Sequence, residues 1–398
     1  SVSTLVHDRA SPHCTPSHPK PNSTSPRPIP PQSHPTQCKA RRRRAPKCTS
    51  TQKFFRPAAR FHRRVSIHRL DQARREIPHS RLEQVGVLGC GAFAQVSLVH
   101  DPESDTLYAL KALSKAAIDE QNLQTVVICE RNALAELSDS PFVVRLITTY
   151  KDINCIYLLM EPALGGELFA LYADLDWYGS EDKASFFAAC VALGIDHIHS
   201  KKIIHRDIKL ENILVDEKGY GKITDLGIAK VVIGKTYTVC GTSDYLAPET
   251  LKQAGHNRAV DWWALGIMVF AMMAGRMPFD ADDVLQIYKN IVKGFRKELF
   301  PSSFNDCLVE FVKGLCRKKP QERLAMLTGG IRNVAQHPWM TPGGDTERWQ
   351  RIATRKYQTA WEPALATVEQ RRATMKQIWD EPFKDYYGEG GEEWDACF

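Results

Sequence analysis

No apolar stretch in this 398-residue chain is long enough to cross a bilayer. The longest, Trp262 to Gly275, runs 14 residues where about 20 are needed, and it predicts a buried core helix instead. The 11 cysteines are scattered, odd in number, and form no Cys-x-x-Cys pair. That argues against a disulfide framework or a structural zinc site, and for a reduced intracellular protein. No internal repeat is present, which excludes a solenoid. Acidic residues are nearly missing from the first 80 positions, where 17 Lys/Arg face 3 Asp/Glu, a net +14. The remaining residues therefore carry −7 of the overall +7. The same 80 residues hold 12 of the 23 prolines and few aliphatic side chains, too little to offset the entropy of ordering. Residues 1–80 are expected to be a disordered basic arm.

The arm allows three readings. It is a solvated linker; or Arg41–Arg44 form a nuclear-import or polyanion-binding patch, which leaves nucleic-acid or membrane contact open as an alternative that could coexist with catalysis; or Arg63, Arg64 and Ser66 form a basophilic phosphorylation or pseudosubstrate-like site. The start shows no signal-peptide pattern, and a first residue of serine leaves room for an upstream segment. A cytoplasmic location is expected, with a nuclear alternative through Arg41–Arg44.

From about residue 85 the pattern becomes that of a folded domain. Val85 to Val99 reads strand, glycine turn, strand; Leu107–Ala112, Val143–Tyr150 and Cys155–Met160 add further strands. Helical spacing covers 120–137, 181–199, 258–274 and 305–315. Ile213–Val215 and Lys222–Thr224 flank Asp-Glu-Lys-Gly, a hairpin signal inside the helical part. The fold class expected is α+β and bilobal: a small antiparallel β lobe with one main helix over 81–161, a large mainly helical lobe over 162–340, and a tail over 341–398.

The chemistry-bearing residues cluster in sequence. Gly89 and Gly91 lie in a turn between two strands, where backbone N–H groups approach phosphate without Cβ obstruction. A plain β-hairpin is the competing reading of that turn. Lys111 on the third strand and Glu130 on the first helix suit a phosphate-binding lysine and its orienting acid. Asp207, Lys209, Asn212 and Asp225 supply a proton acceptor, a phosphate-facing cation and two hard oxygen ligands for Mg²⁺. His205 is read as a packed, hydrogen-bonded core residue. Residues 229–236 satisfy a loose phosphate-loop pattern, but no strand precedes them and no helix starts at Thr236.

Residues 85–340 resemble a protein kinase catalytic domain, through His205 to Asn212, then Asp225, Leu226 and Gly227. Residues 236–249, 259–266 and 160–167 narrow the resemblance to the AGC group, and within it to cGMP- and cAMP-dependent enzymes. The resemblance implies a Ser/Thr kinase using ATP and Mg²⁺, with Asp207, Lys209, Lys111 and Glu130 catalytic and Asn212 and Asp225 holding metal. It implies a nucleotide site of Leu88, Gly89, Gly91, Val96, Ala109, Lys111, Met160, Glu161, Ala163, Glu167, Glu211, Asn212 and Asp225, with residues 161–163 as the hinge. It makes Thr238 an activating phosphosite met by Arg206 and Lys230, pairs Glu249 with Arg323, and has Asp261 brace the catalytic loop. Glu167, Glu211 and Asp244 would read arginines upstream of the phosphoacceptor; Ala271 in place of a glutamate leaves Arg at −3 favoured and weakens the preference at −2. Residues 383–386 would wrap over nucleotide, and Trp394 to Phe398 would dock on the small lobe.

Ala94 replaces the third glycine of the usual turn, Leu226 the usual Phe, and Ser243-Asp244 the usual Pro-Glu. These departures motivate a different class, an ATP-binding pseudokinase scaffold; a catalytic subunit of a cAMP-dependent kinase is the nearer alternative. Nothing resembles a cyclic-nucleotide-binding domain, so such regulation would need a partner subunit or a segment outside this sequence. The partners expected are proteins with basic residues upstream of Ser/Thr, a regulatory subunit, or an upstream activating kinase.

Overall fold

The computed structural model describes residues 69–70, 72–91, 94–375 and 394–398. Residues 41–44, Ser66 and residues 383–386 lie outside the described residues. Five strands, β1 (Glu83–Cys90), β2 (Ala94–Asp101), β3 (Thr106–Ser114), β4 (Leu146–Lys151) and β5 (Cys155–Met160), form an antiparallel sheet in the order β1-β2-β3-β5-β4. Alternation along β3 sends Ala109, Lys111 and Leu113 to one face and Tyr108 and Leu110 to the other. The first face joins the main core with Val127 and Leu134; the second joins a small cluster of Val99, Tyr150 and Leu159.

The helix expected over 120–137 is Gln124–Glu136, and a separate short helix, Lys115–Glu120, precedes it. Between them Asn122 takes φ +55, a left-handed conformation that asparagine tolerates and that breaks the run. Ser114 caps the first helix by accepting the Ala117 N–H. The strand expected from Val143 begins instead at Leu146. Val143 makes a parallel bridge to Ile223, and the Val144 N–H donates to the Ile223 carbonyl, which ties the small lobe to the large one.

The boundary drawn at residue 80 falls inside folded structure. Residues 69–70 and 72–76 are helical, Leu70 is buried, and its carbonyl accepts the Thr148 hydroxyl at 2.8 Å. Tyr150 donates its hydroxyl to the Ile77 carbonyl, and Ile77 packs on the small cluster. Leu70 and Ile77 supply the apolar anchors that the preceding arm lacks in sequence.

In the large lobe the helices Glu181–Ser200, Ala259–Ala274 and Asp306–Leu315 appear where the periodicity places them. Acidic Glu181 and Asp182 open the first of these, and His197 and His199 close it, both favourable to the helix dipole. The helix Ala259–Ala274 is apolar on every side and buried nearly throughout; Gly275 ends it at φ +66. Short strands β6 (Gly166–Glu167), β7 (Ile203–Ile204), β8 (Ile213–Val215), β9 (Gly221–Ile223) and β10 (Lys230–Val231) build a β6-β8-β9 sheet and a β7-β10 pair. The loose phosphate-loop pattern therefore sits on β10 and has no helix after it. Among the described residues no helix is long and apolar enough to cross a membrane, and the eight described cysteines are free.

The tail straps back over both lobes. Arg355 pairs with Asp216 at 2.5 Å and lies over the Tyr220 ring, while the Tyr220 hydroxyl donates to the Tyr357 carbonyl. Residues 394–398 lie on the small lobe. There Phe398 is buried, Arg131 lies 6.0 Å from its ring, and Asp395 sits between Lys115 at 2.7 Å and Lys151 at 2.9 Å.

Candidate active site

The loop between β7 and β8 carries Asp207, Lys209 and Asn212, and a buried acid fixes its shape. Asp261, at the start of the Ala259–Ala274 helix, accepts the His205 and Arg206 backbone N–H groups at 3.0 and 2.8 Å. It also meets the His199 ring at 2.7 Å. Burial would raise the Asp261 pKa, but these partners outweigh it and hold the carboxyl below the usual range. They also offset the strain of Arg206, a non-glycine residue at φ +73. His205 is fully buried, with its ring against the Thr224 carbonyl at 3.0 Å, as a core histidine should be.

Asp207 collects donors on both oxygens. Oδ1 accepts the Thr242 N–H at 2.9 Å and the Thr242 hydroxyl at 2.8 Å; Oδ2 accepts Asn212 Nδ2 at 3.0 Å and meets Lys209 Nζ at 3.0 Å. Lys209 also donates to Thr242 Oγ1 at 2.9 Å. Burial pushes the Asp207 pKa up, but the Thr242 and Lys209 contacts dominate and lower it. Thr242 was not among the candidates, because its partner lies 35 residues away in sequence. Gly241 makes that approach possible: it sits at φ +109, and a Cβ there would lie 2.6 Å from the Arg206 carbonyl oxygen.

Across from this loop, Lys111 Nζ donates to Glu130 Oε1 at 2.6 Å. Burial opposes the lysine charge, yet Glu130 and then Asp225 outweigh it and raise the Lys111 pKa. Lys111 thus senses Asp225 from the other lobe. Asp225 itself is exposed at φ +58, and its Oδ1 accepts the Gly227 N–H at 3.2 Å. Leu226 behind it is fully buried, so the apolar plug persists without an aromatic ring.

Strand register groups the nucleotide candidates. Val96 pairs with Lys111 and Ala109 with Met160, which places all four on one face of the sheet. Leu88 is half exposed at a β-bulge, and Gly89 and Gly91 are exposed beside it. Glu161 Oε1 accepts the Arg145 N–H and Lys222 Nζ, both at 2.8 Å, and its backbone N–H donates to the Arg145 carbonyl at 3.0 Å, so its carbonyl oxygen and the Ala163 N–H are the parts left to meet a base. Lys222 was also not a candidate. A lysine between the apolar neighbours of a buried strand signals the need for a carboxylate, and Glu161 answers it.

Glu167 is exposed on β6 and pairs with Leu214 of β8, close in sequence to Glu211. Glu211 Oε2 is shielded from water with no hydrogen-bond partner among the described residues, a state an incoming cation would relieve. Asp244 accepts the Ser243 hydroxyl at 2.8 Å. Thr238 is exposed and stands apart from its expected partners: Lys230 donates to Thr236 at 3.1 Å, and Arg206 Nε donates to the Ile228 carbonyl at 2.7 Å. Arg206 Nη1 is buried and lacks a hydrogen-bond partner among the described residues. Glu249 and Arg323 form a two-pronged pair with both distances 2.7 Å.

Known proteins match this arrangement. The model of the protein kinase domain family matches residues 82–340. The cGMP-dependent protein kinase, isozyme 1, of Drosophila melanogaster is 39% identical over 276 residues, 68% of this chain and 36% of that protein. Human cGMP-dependent protein kinase 2 is 38% identical over 265 residues, 66% of this chain and 34% of that one. The cAMP-dependent protein kinase type 3 of Saccharomyces cerevisiae is 35% identical over 306 residues, 77% of this chain and 74% of that one. The chain spans about a third of the length of the cGMP-dependent relatives.

Proposed function

This chain belongs to the protein kinase family, among relatives of its cGMP- and cAMP-dependent AGC members, and from that premise we propose that it transfers the ATP γ-phosphoryl group to Ser or Thr hydroxyls of proteins that carry arginine at −3. One arrangement carries the reading: Glu130 orients Lys111 on the small lobe, while Asn212 and Thr242 hold Asp207 on the loop of the large lobe.

The residues fit Mg²⁺. Asn212 spends Nδ2 on the Asp207 carbonyl and carboxylate, which leaves its amide oxygen as the atom that would meet a metal. Asp225 offers an exposed carboxylate. Bound Mg²⁺ would neutralise charge on the β- and γ-phosphates. Lys111, oriented by Glu130, would hold phosphate oxygens, and Val96, Ala109 and Met160 would pack the base. Lys209 would stabilise charge on the transferred group. A carboxylate with four donors is a weak base, so Asp207 orients the incoming hydroxyl and takes its proton late, which suits a loose displacement. Glu167, Glu211 and Asp244 would receive upstream arginines; the unpartnered Glu211 oxygen supports this. Phosphate on Thr238 would draw Arg206 Nη1 and Lys230 to itself.

A peptide-library assay with Mg·ATP tests the reading. Transfer to Ser/Thr peptides with Arg at −3 is expected, with loss of about 10²–10⁴-fold in Asp207→Ala and no transfer by Asp225→Ala. Equal rates on peptides with and without the −3 arginine would remove the basophilic part. ATP binding without transfer to any peptide would favour the scaffold.

A further inference from the structure

The helix Val368–Thr374 lies outside every site described above, and its last four residues read Arg371, Arg372, Ala373, Thr374. That places a hydroxyl with arginines at −3 and −2 inside the chain whose proposed preference is arginine at −3. We propose that Thr374 is a phosphoacceptor for this chain's own activity, phosphorylated by a second copy. The proposal rests on the basophilic reading.

Thr374 is exposed, but it is not yet a substrate. Its hydroxyl donates to the Gln370 carbonyl at 2.9 Å, and both arginines are engaged: Arg371 Nε donates to the Ala366 carbonyl at 3.1 Å, and Arg372 pairs with Glu83 of β1 at 2.6 Å. The helix is seated on β1. Met375, just past its end, crowds Gly86 so closely that a Cβ on Gly86 would lie 2.4 Å from the Met375 Cβ. Seated this way, Thr374 is helical and held against the small lobe, whereas Glu167, Glu211 and Asp244 belong to the large lobe. A seven-residue helix with one capping box and a solvent-exposed ion pair opens readily. Once open it presents Arg371, Arg372 and Thr374 as an extended peptide that a second copy's site can take.

The chemistry is that of the proposed reaction. Thr374 Oγ attacks the γ-phosphorus of ATP, and the Oγ–P bond forms as the bond to the β,γ-bridging oxygen breaks. ADP leaves with that electron pair. The hydroxyl proton passes to Asp207 of the acting copy and then to solvent, and nothing is oxidised or reduced. The phosphate then disfavours reseating, because it meets the negative end of the helix dipole and the nearby Glu83 carboxylate.

The test incubates the full chain with Mg·ATP and maps phosphate by mass spectrometry, beside a control peptide carrying arginine at −3. Phosphate on Thr374 is expected, absent in Thr374→Ala, with a rate per molecule that rises with chain concentration. Arg371→Ala removes a helix contact and so favours opening; a fall of tenfold or more in Thr374 labelling, with control-peptide transfer kept, therefore reports recognition. Gly86→Ala, which unseats Met375, should speed labelling. If the control peptide is phosphorylated while Thr374 stays bare in the wild type and in Gly86→Ala, the proposal fails and the basophilic reading stands. If neither is phosphorylated, both fail. A labelling rate per molecule independent of concentration overturns the second-copy arrangement.

Discussion

The loop between β7 and β8 and the segment over 228–242 meet at Asp207 and Thr242, yet opposite means hold them. The loop is fastened from beneath by Asp261, which is buried and accepts two backbone N–H groups and faces a histidine ring. The segment leaves Ile233 91% and Tyr237 65% exposed, and touches the loop chiefly through Thr242 on Asp207 and the Ile228 carbonyl, which accepts Arg206 Nε. Buried polar contacts are costly to break one at a time, so they suit parts that must not move. Sparse, exposed contacts suit a part whose position depends on a modification.

Breaking the fixed side gives the largest expected effect. Glu249→Ala strands the Arg323 guanidinium, which is fully buried over Trp263. Such a loss costs about 3–5 kcal/mol, a fall in Tm of about 5–10 °C. Adding Arg323→Met should restore part of it, because no unpaired charge then remains. A double variant no more stable than Glu249→Ala would count against this account of the pair.

The switched side should respond in rate and not in stability. Thr238→Ala removes an exposed hydroxyl, so Tm should not move. If phosphate there gains one net charge-assisted bond of about 1.5 kcal/mol, its loss is about tenfold in kcat/KM. A matched change in Tm would show that Thr238 belongs to the fixed side after all.

Much of this contrast was legible in the sequence, and its limits are physical. His205, Asp207, Asn212 and Asp225 sit close together along the chain, so one short stretch carries the motifs on which the resemblance rests. The strand β5 and the helix Ala259–Ala274 follow from uninterrupted apolar runs, and the helix Glu181–Ser200 from helical spacing. What escaped depends on pairing across long separations: Thr242 on Asp207, Lys222 on Glu161, and Met375 on Gly86. The arm's boundary escaped for a related reason. Two aliphatic residues, Leu70 and Ile77, decide it, and net charge averages over them.

The tail offers the finest test of the contrast, because its last residues are part fixed and part exposed. Burial acts to raise the Asp395 pKa, but Lys115 and Lys151 outweigh it and hold the carboxyl below its usual range. A group whose folded pKa is depressed contributes stability above its unfolded pKa, about 4 for aspartate. That contribution is lost as pH falls through the folded value. Asp395→Asn should therefore lower stability by about 1–2 kcal/mol at neutral pH, and the gap from wild type should close as pH drops below about 4. Hydrogen exchange at the Phe398 amide, which donates to the Asp395 carbonyl at 3.0 Å, reads the same docking locally. A gap that persists unchanged in acid would mean that Phe398, seated beneath Arg131, holds the tail without help from the two lysines.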